Sequence, residues 1–220
     1  MIKKITNLSI YLLRYLSIIS TKYKVSNKIS FGSNLSNDFF KKNLKKCKFY
    51  FEYGAGSSTL LANKLHKKFI SIESDKSFYK YLKNKKKIKN LRYLDIGPTK
   101  YFSHPILPHF IIKKKIYLYS NYINFIFLNT KEIPDFILID GRFRVSTCMY
   151  ILNFLLKKKI KKKIIIILDD YINRENYKIL EKVVQVIKIG RFGVITYNHF
   201  RHFSKSKIKN ILLKTEKDIM

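Results

Sequence analysis

One stretch limits what this chain can fold into more than any other: Lys48–Glu73, KFYFEYGAGSSTLLANKLHKKFISIE. Lys48–Tyr53 is an aromatic run suited to a buried strand, and Gly54 and Gly56 bracket a turn with little side-chain bulk. Ser57, Ser58 and Thr59 are available to cap a helix whose apolar residues Leu60, Leu61 and Leu65 recur at helical spacing. Phe69–Glu73 closes the unit as a second strand ending in an acid. This is the pattern of a nucleotide-cradling βαβ unit. Its glycines allow close backbone approach, its helix N-terminus offers N–H groups, and Glu73 is placed to accept from a ribose diol.

The turn narrows the choice of nucleotide. A dinucleotide fingerprint wants a third small residue after GxGxx, and this chain has Thr59 there, with Ser57 and Ser58 between. Glu52, two residues before Gly54, would attract a cationic ligand group such as an ammonium or a sulfonium. In Glu52, Tyr53, Gly54, Ala55 and Gly56, with Glu73 seventeen residues on, the chain resembles the class I S-adenosylmethionine-dependent methyltransferases. Their first motif is an acid, one residue, then Gly-x-Gly, and their second is an acid at the next strand end. The resemblance implies S-adenosyl-L-methionine as cofactor, bound by Glu52, Tyr53, Gly54, Ala55, Gly56, Ser57, Ser58 and Glu73. Asp95, closing the LRYLDI strand ahead of Gly97 and Pro98, would flank the adenine. The competing reading is an ordinary βα turn with two glycines.

A second group of acids follows. Asp135–Asp140 (DFILID) and Ile164–Asp170 (IIIILDD) are buried strands separated by a helix over Val145–Leu156, so Asp140, Asp169 and Asp170 fall at neighbouring strand ends on the edge that carries Gly54. Three carboxylates at one edge repel unless a proton or cation compensates, which makes Mg²⁺ a candidate guest. Ile139–Gly141 (IDG) and Asp169–Tyr171 (DDY) are similar to the metal-dependent sugar and macrolide O-methyltransferases. That similarity implies Asp140 and Asp170 as catalytic carboxylates and Asp140, Asp169 and Asp170 as metal ligands beside an acceptor hydroxyl. Where those enzymes carry another acid, this chain has Arg142 and Arg144. The alternative is a salt-bridge network in which Asp169 and Asp170 pair with Arg142, Arg144 or Arg174. In overall wording, EYGAGSSTLLANKL, ESD, IDGRFRVST and DDY look like a little-characterised bacterial methyltransferase group.

With 220 residues, 46% hydrophobic and 15% aromatic, the chain is long and apolar enough for one globular domain. The expected division is an N-terminal helical segment and loop over 1–37 and a Rossmann-like domain over 38–220, with an insertion at 98–134 covering the active site. Ile5–Leu13 and Tyr15–Thr21 are each too short to span a bilayer and are split by Arg14, so the segment reads as a packed or membrane-surface helix. His104 and His109 in the insertion are titratable but more ordinary as structural residues. Cys47 and Cys148 form no CxxC pair, and a cytoplasmic setting is the default.

The net charge is +32, yet only seven of the 46 basic residues are Arg. Nucleic-acid readers favour Arg for its bidentate fork, so a Lys-rich text speaks for compositional bias before nucleic-acid binding. The lysine runs at Lys41–Lys48, Lys64–Lys68, Lys83–Lys89 and Lys157–Lys163 each precede a candidate strand, opposite the expected crevice.

These readings converge on an α/β fold: a Rossmann-like, doubly wound, mostly parallel sheet with helices on both faces and a C-terminal antiparallel strand, Arg191–Tyr197. A helix is expected over Glu175–Ile187. The functional expectation is a methyltransferase acting on a small-molecule or sugar hydroxyl. Two other classes share the scaffold: a nicotinamide-dependent oxidoreductase, and a non-catalytic basic protein binding RNA or an anionic membrane surface.

Overall fold

The computed structural model describes residues 23–97, 99–100, 104–105, 116–128 and 132–198. The expected N-terminal helix, His109 and the basic tail lie outside these residues, as does the His104 side chain. Among the described residues, no helix is long and apolar enough to cross a membrane.

Helix α1 (Asn34–Lys46) leads into β1 (Phe49–Tyr53), α2 (Ser57–Lys64) and β2 (Lys68–Glu73). Helix α3 (Lys76–Lys80) continues as one wide turn to Lys85 and is followed by β3 (Leu91–Tyr93). A short antiparallel pair, β4 (Thr99–Lys100) and β5 (His104–Pro105), precedes α4 (Ile116–Leu128). Then come β6 (Phe136–Ile139), α5 (Arg144–Lys157), β7 (Ile164–Leu168), a 3₁₀ segment (Glu175–Lys182), and the hairpin β8 (Ile187–Ile189) and β9 (Phe192–Tyr197). The main sheet has the order β3-β2-β1-β6-β7-β9-β8. Strands β3 through β7 in that order run parallel, whereas β9 is antiparallel to both β7 and β8.

The sheet is covered on both faces because its strands alternate two kinds of apolar side chain. Phe51, Tyr53, Ile137, Ile139, Ile164, Ile166 and Leu168 pack with α4 and α5, through Tyr122, Ile126, Met149, Leu152 and Leu155. Tyr50, Phe69, Phe136, Leu138 and Ile167 pack against the other layer, with Phe40 and Leu44 of α1 and Ala62 of α2. Cys148 lies in the first cluster and Cys47 in the second, so the sheet separates the two thiols. The doubly wound architecture read from the sequence is the observed one.

Two local expectations need correction. The 98–134 stretch is not insertion throughout, because α4 is the crossover helix between β3 and β6. Its Tyr119, Tyr122, Ile123 and Ile126 recur at three- and four-residue spacing and are buried. Helix over Glu175–Ile187 gives way to a 3₁₀ segment that stops at Lys182, after which Ile187 opens β8. The β-branched run Val183, Val184, Val186, Ile187 favours extended backbone over further helix.

Strand order reverses between β1 and β6, and the C-terminal ends of both strands meet there. In open α/β sheets this switch point forms the ligand crevice. The lysine runs precede β1, β2, β3 and β7, which places them at the opposite edge.

Candidate active site at the carboxyl edge of the sheet

Two glycine turns build the floor of the crevice. Gly54 follows β1 with φ +90°, and a Cβ there would stand 2.7 Å from the backbone N of Gly141 in the turn after β6. Both turns therefore need glycine so that backbone can pack on backbone. The Tyr122 hydroxyl closes the junction from α4, accepting from the Arg142 N–H at 3.2 Å. Gly56 differs: a Cβ there would meet nothing within 4 Å, so this glycine borders open space at the start of α2. Its N–H donates to Thr59 Oγ1 at 2.9 Å, so Thr59 caps the helix.

Glu52, expected to face a cationic ligand, is fully buried on β1 instead. Its carboxylate accepts from Tyr50 at 2.7 Å and Ser58 at 2.6 Å, and also from Thr59 and Ser71. Burial raises its pKa against the pull of these hydroxyls. Glu52 thus pins α2 onto β1 and β2, and Ser58 turns inward to meet it. The Tyr53 side chain also points into the core, donating to the Ile123 carbonyl at 2.8 Å; only its backbone reaches the turn. The side chains of Glu52, Tyr53 and Ser58, expected at the ligand, point inward instead and support the turn from beneath.

Glu73 and Asp95 stand at the neighbouring strand ends. Glu73 accepts from the N–H groups of Ser74 and Asp75, both at 2.7 Å, and of Ala55 at 3.3 Å, which ties the β2 end to the glycine turn. Asp95 accepts from the Gly97 N–H at 2.8 Å, ordering the turn after β3. Asp75 caps α3 as the sequence predicts and also accepts from Tyr23 at 2.7 Å. Gly54, Ala55, Gly56, Ser57, Glu73 and Asp95 therefore stand on neighbouring turns at the carboxyl ends of β1, β2 and β3.

The carboxylates Asp140, Asp169 and Asp170 do converge, but arginines fill the space between them. Arg144 donates to Asp140 Oδ1 at 2.8 Å and to Asp170 Oδ2 at 3.0 Å, and also to the carbonyls of Asp140, Gly141 and Asp169. Arg191 donates to Asp169 Oδ1 at 2.7 Å and reaches Asp170 at the same distance. Arg174 approaches Asp170 at 3.4 Å. Two guanidinium groups thus supply the positive charge for which Mg²⁺ was invoked, and they occupy the oxygens a metal would need. Among the described residues no cluster of acids, histidines or cysteines can hold a metal. The donor set does not fit Mg²⁺, and the salt-bridge alternative is the observed arrangement, with Arg191 as a member the sequence did not reveal.

The three acids are not equivalent. Asp169 is 1% exposed in the side chain and is held by Arg191. Burial raises Asp170's carboxyl, but Arg144, Arg191 and Arg174 outweigh it and hold the pKa below the ordinary value. Asp140 moves the other way: burial and the neighbouring Asp169 charge push it well up despite Arg144. Its side chain keeps about a third of its surface open, 35%, so solvent or substrate reaches it. Phe143 (φ +56°) and Asp170 (φ +58°) hold left-handed backbone beside these groups, and such conformations gather where a site over-determines them.

No protein-family model matches the chain, and no curated protein does. Among solved structures, a methyltransferase-like protein from Silicibacter pomeroyi DSS-3 superposes with a TM-score of 0.69 at 23% identity, over 87% of this chain and 98% of that one. Seven strands in mixed order, an antiparallel C-terminal pair and helices on both faces thus give this chain a Rossmann-like α/β fold, which it shares with that methyltransferase-like protein.

Proposed function

We propose that the protein transfers a methyl group from S-adenosylmethionine to a hydroxyl oxygen of a small-molecule or sugar acceptor, with Asp140 as general base. The observation that carries the reading is the split between two halves of one crevice. Open space beside Gly56, with Glu73 at the next strand end, suits a nucleoside, and a partly exposed carboxylate of raised pKa stands at the adjacent strand.

When bound, S-adenosylmethionine supplies an electrophilic methyl on a sulfonium and departs as S-adenosylhomocysteine. The residues of the chain align and deprotonate. Gly54, Ala55 and Gly56 offer backbone to the nucleoside, and Glu73 accepts from the ribose hydroxyls. Asp140 takes the proton of the acceptor O–H as its oxygen forms the new bond to carbon, so no free alkoxide need be generated. Arg144 fixes Asp140 by bonding both its carboxylate and its carbonyl. A carboxyl with raised pKa is a stronger base than an ordinary one once it is ionised. Asp170, held acidic by three arginines, is poorly suited to that task, so the base assignment rests on Asp140 alone.

The test is methyl transfer to a panel of sugar and phenolic hydroxyls, with and without EDTA. Turnover is expected to survive EDTA and to fail in Asp140→Asn. Full activity in Asp140→Asn would overturn the assignment, and loss with EDTA that Mg²⁺ restores would return a metal to the site.

A further inference from the structure

Composition explains how many lysines the chain has but not where the fold puts them. The stretches that enter β1, β2, β3 and β7 at the amino edge, 45–48, 64–68, 85–89 and 157–163, hold sixteen lysines. The turns at the carboxyl edge, 54–56, 74–76, 94–97, 140–143, 169–174 and 190–191, hold one, Lys76. Helix dipoles account for part of this segregation, since Lys45, Lys46, Lys64, Lys85 and Lys157 sit in last turns. The others lie in the loops beyond. Among them His66, Lys87 and Lys159 hold left-handed backbone, with φ of +50°, +54° and +50°, where glycine or asparagine is the ordinary choice. Long side chains are thus kept on this edge at a cost to the backbone. Among the described residues, the acids in the connections of this edge are Glu132, which pairs with Lys68, and Asp135, which accepts from the Lys48 and Phe49 N–H groups at 3.0 and 2.9 Å. Lys67 and Lys162 donate to the carbonyls of Lys45 and Ile133. Lysines therefore far outnumber acids along the edge, and an anionic surface would relieve their mutual repulsion.

We propose that the amino edge docks the protein on an anionic phospholipid surface. The runs stand at strand ends from β3 to β7, so the charge extends along one side of the molecule over about 19 Å at the usual spacing of neighbouring strands. A bilayer with acidic headgroups offers many diffuse negative charges over such a span, and the lysine ammonium, a hydrated point charge without a directional fork, suits it. Nucleic acid is the weaker match to the same charge. Its readers use guanidinium forks or stack bases on aromatic rings. The four lysine stretches hold no arginine, and the large apolar side chains exposed among the described residues, Leu35, Ile172 and Ile187, are aliphatic and lie elsewhere. Attachment is electrostatic, and the turns at the other end of the strands stay open to water. This docking surface does not depend on the methyltransferase reading.

Sedimentation of the full chain with vesicles tests this, using phosphatidylcholine alone and phosphatidylcholine mixed in equal parts with phosphatidylglycerol. Wild type is expected to bind the mixed vesicles and ignore phosphatidylcholine. Raising the salt from about 0.1 M to about 1 M, which shortens the screening length from about 10 Å to about 3 Å, should release it. Lys87→Gln/Lys89→Gln/Lys159→Gln/Lys161→Gln should weaken binding at least tenfold, and Lys87→Arg/Lys89→Arg/Lys159→Arg/Lys161→Arg should keep it. Lys24→Gln/Lys28→Gln/Lys76→Gln/Lys178→Gln, which removes the same charge from lysines exposed away from this edge, should bind nearly as wild type does. Equal weakening in the two Gln variants, equal binding to both kinds of vesicle, no binding to the mixed ones, or no release by salt would overturn the proposal. If polyuridylate at an equal concentration of negative charge strips the protein from the mixed vesicles, the edge belongs to nucleic acid and the proposal falls. Far-UV circular dichroism checks the fold of each variant, and the wild-type arms decide the matter should one fail to fold.

Discussion

The two edges of the sheet are both rich in cations, but the cations differ in kind and in what they touch. At the amino edge, the runs ending at Lys48, Lys68, Lys89 and Lys163 are mostly exposed; Lys68 pairs with Glu132, itself at the surface, and Lys67 and Lys162 each donate to one backbone carbonyl, of Lys45 and Ile133. At the carboxyl edge, Arg144 is 10% exposed in its side chain and bonds five oxygens. A solvated ammonium is worth little to the fold, whereas a guanidinium that satisfies buried acceptors fixes geometry. Among the described residues four of the five arginines stand at the site, Arg92 being the exception, which means that cation type is more informative here than net charge.

The sharpest way to break this contrast is through the chemistry. Asp140→Asn should lower turnover by about 10²–10⁴-fold, the usual weight of a general base, while leaving S-adenosylhomocysteine affinity intact. The pH profile gives a second view of the same residue. Asp140 must be ionised to accept a proton, so kcat/KM should rise with pH through a single acid limb lying above the ordinary carboxylate range. A limb at the usual carboxylate value would contradict the raised pKa.

Stability comes next in size. Arg144→Ala removes the cation shared by the β6 and β7 ends and should cost about 3 kcal/mol in chemical denaturation, as does breaking other buried ion pairs. Lys157→Ala at the opposite edge should stay within about 0.5 kcal/mol. Equal losses would erase the distinction between the edges.

At the cofactor turn, Glu73→Ala should weaken S-adenosylhomocysteine binding by about 1.5–3 kcal/mol, the worth of a charge-assisted hydrogen bond. Because Glu73 also bonds Ala55, Ser74 and Asp75, thermal unfolding must be followed in parallel to separate affinity from stability.

Most of the scaffold was legible in the sequence because strands buried on both faces announce themselves as apolar runs, and FYFEY, FILI and IIIIL all do. Helix α4 was harder to see. IYLYSNYINFIFL is apolar nearly throughout, so the stripe it buries, Tyr119, Tyr122, Ile123 and Ile126, does not stand out in the sequence from Phe125 and Phe127, which stay partly exposed. The site was legible as residues but not as pairings. Asp140, Asp169 and Asp170 converge as their strand ends predict, yet Arg191 comes from a hairpin whose return beside β7 is a tertiary fact. Glu52 shows the opposite failure. Its place in the motif pointed outward, and only the hydroxyls of Tyr50, Ser58, Thr59 and Ser71, gathered from three elements, show that it faces in.

The central claim, that the carboxyl edge and not the lysine edge is a methyl-donor site, is met most directly by titrating S-adenosylhomocysteine into wild type and Gly56→Val, with NAD as comparator. One saturable site is expected in wild type, with stabilisation of about 2.7 kcal/mol at a hundredfold excess over the dissociation constant, and none in Gly56→Val, whose side chain fills the open space at the turn. No binding of S-adenosylhomocysteine alongside clear binding of NAD, or undiminished affinity in Gly56→Val, would contradict it.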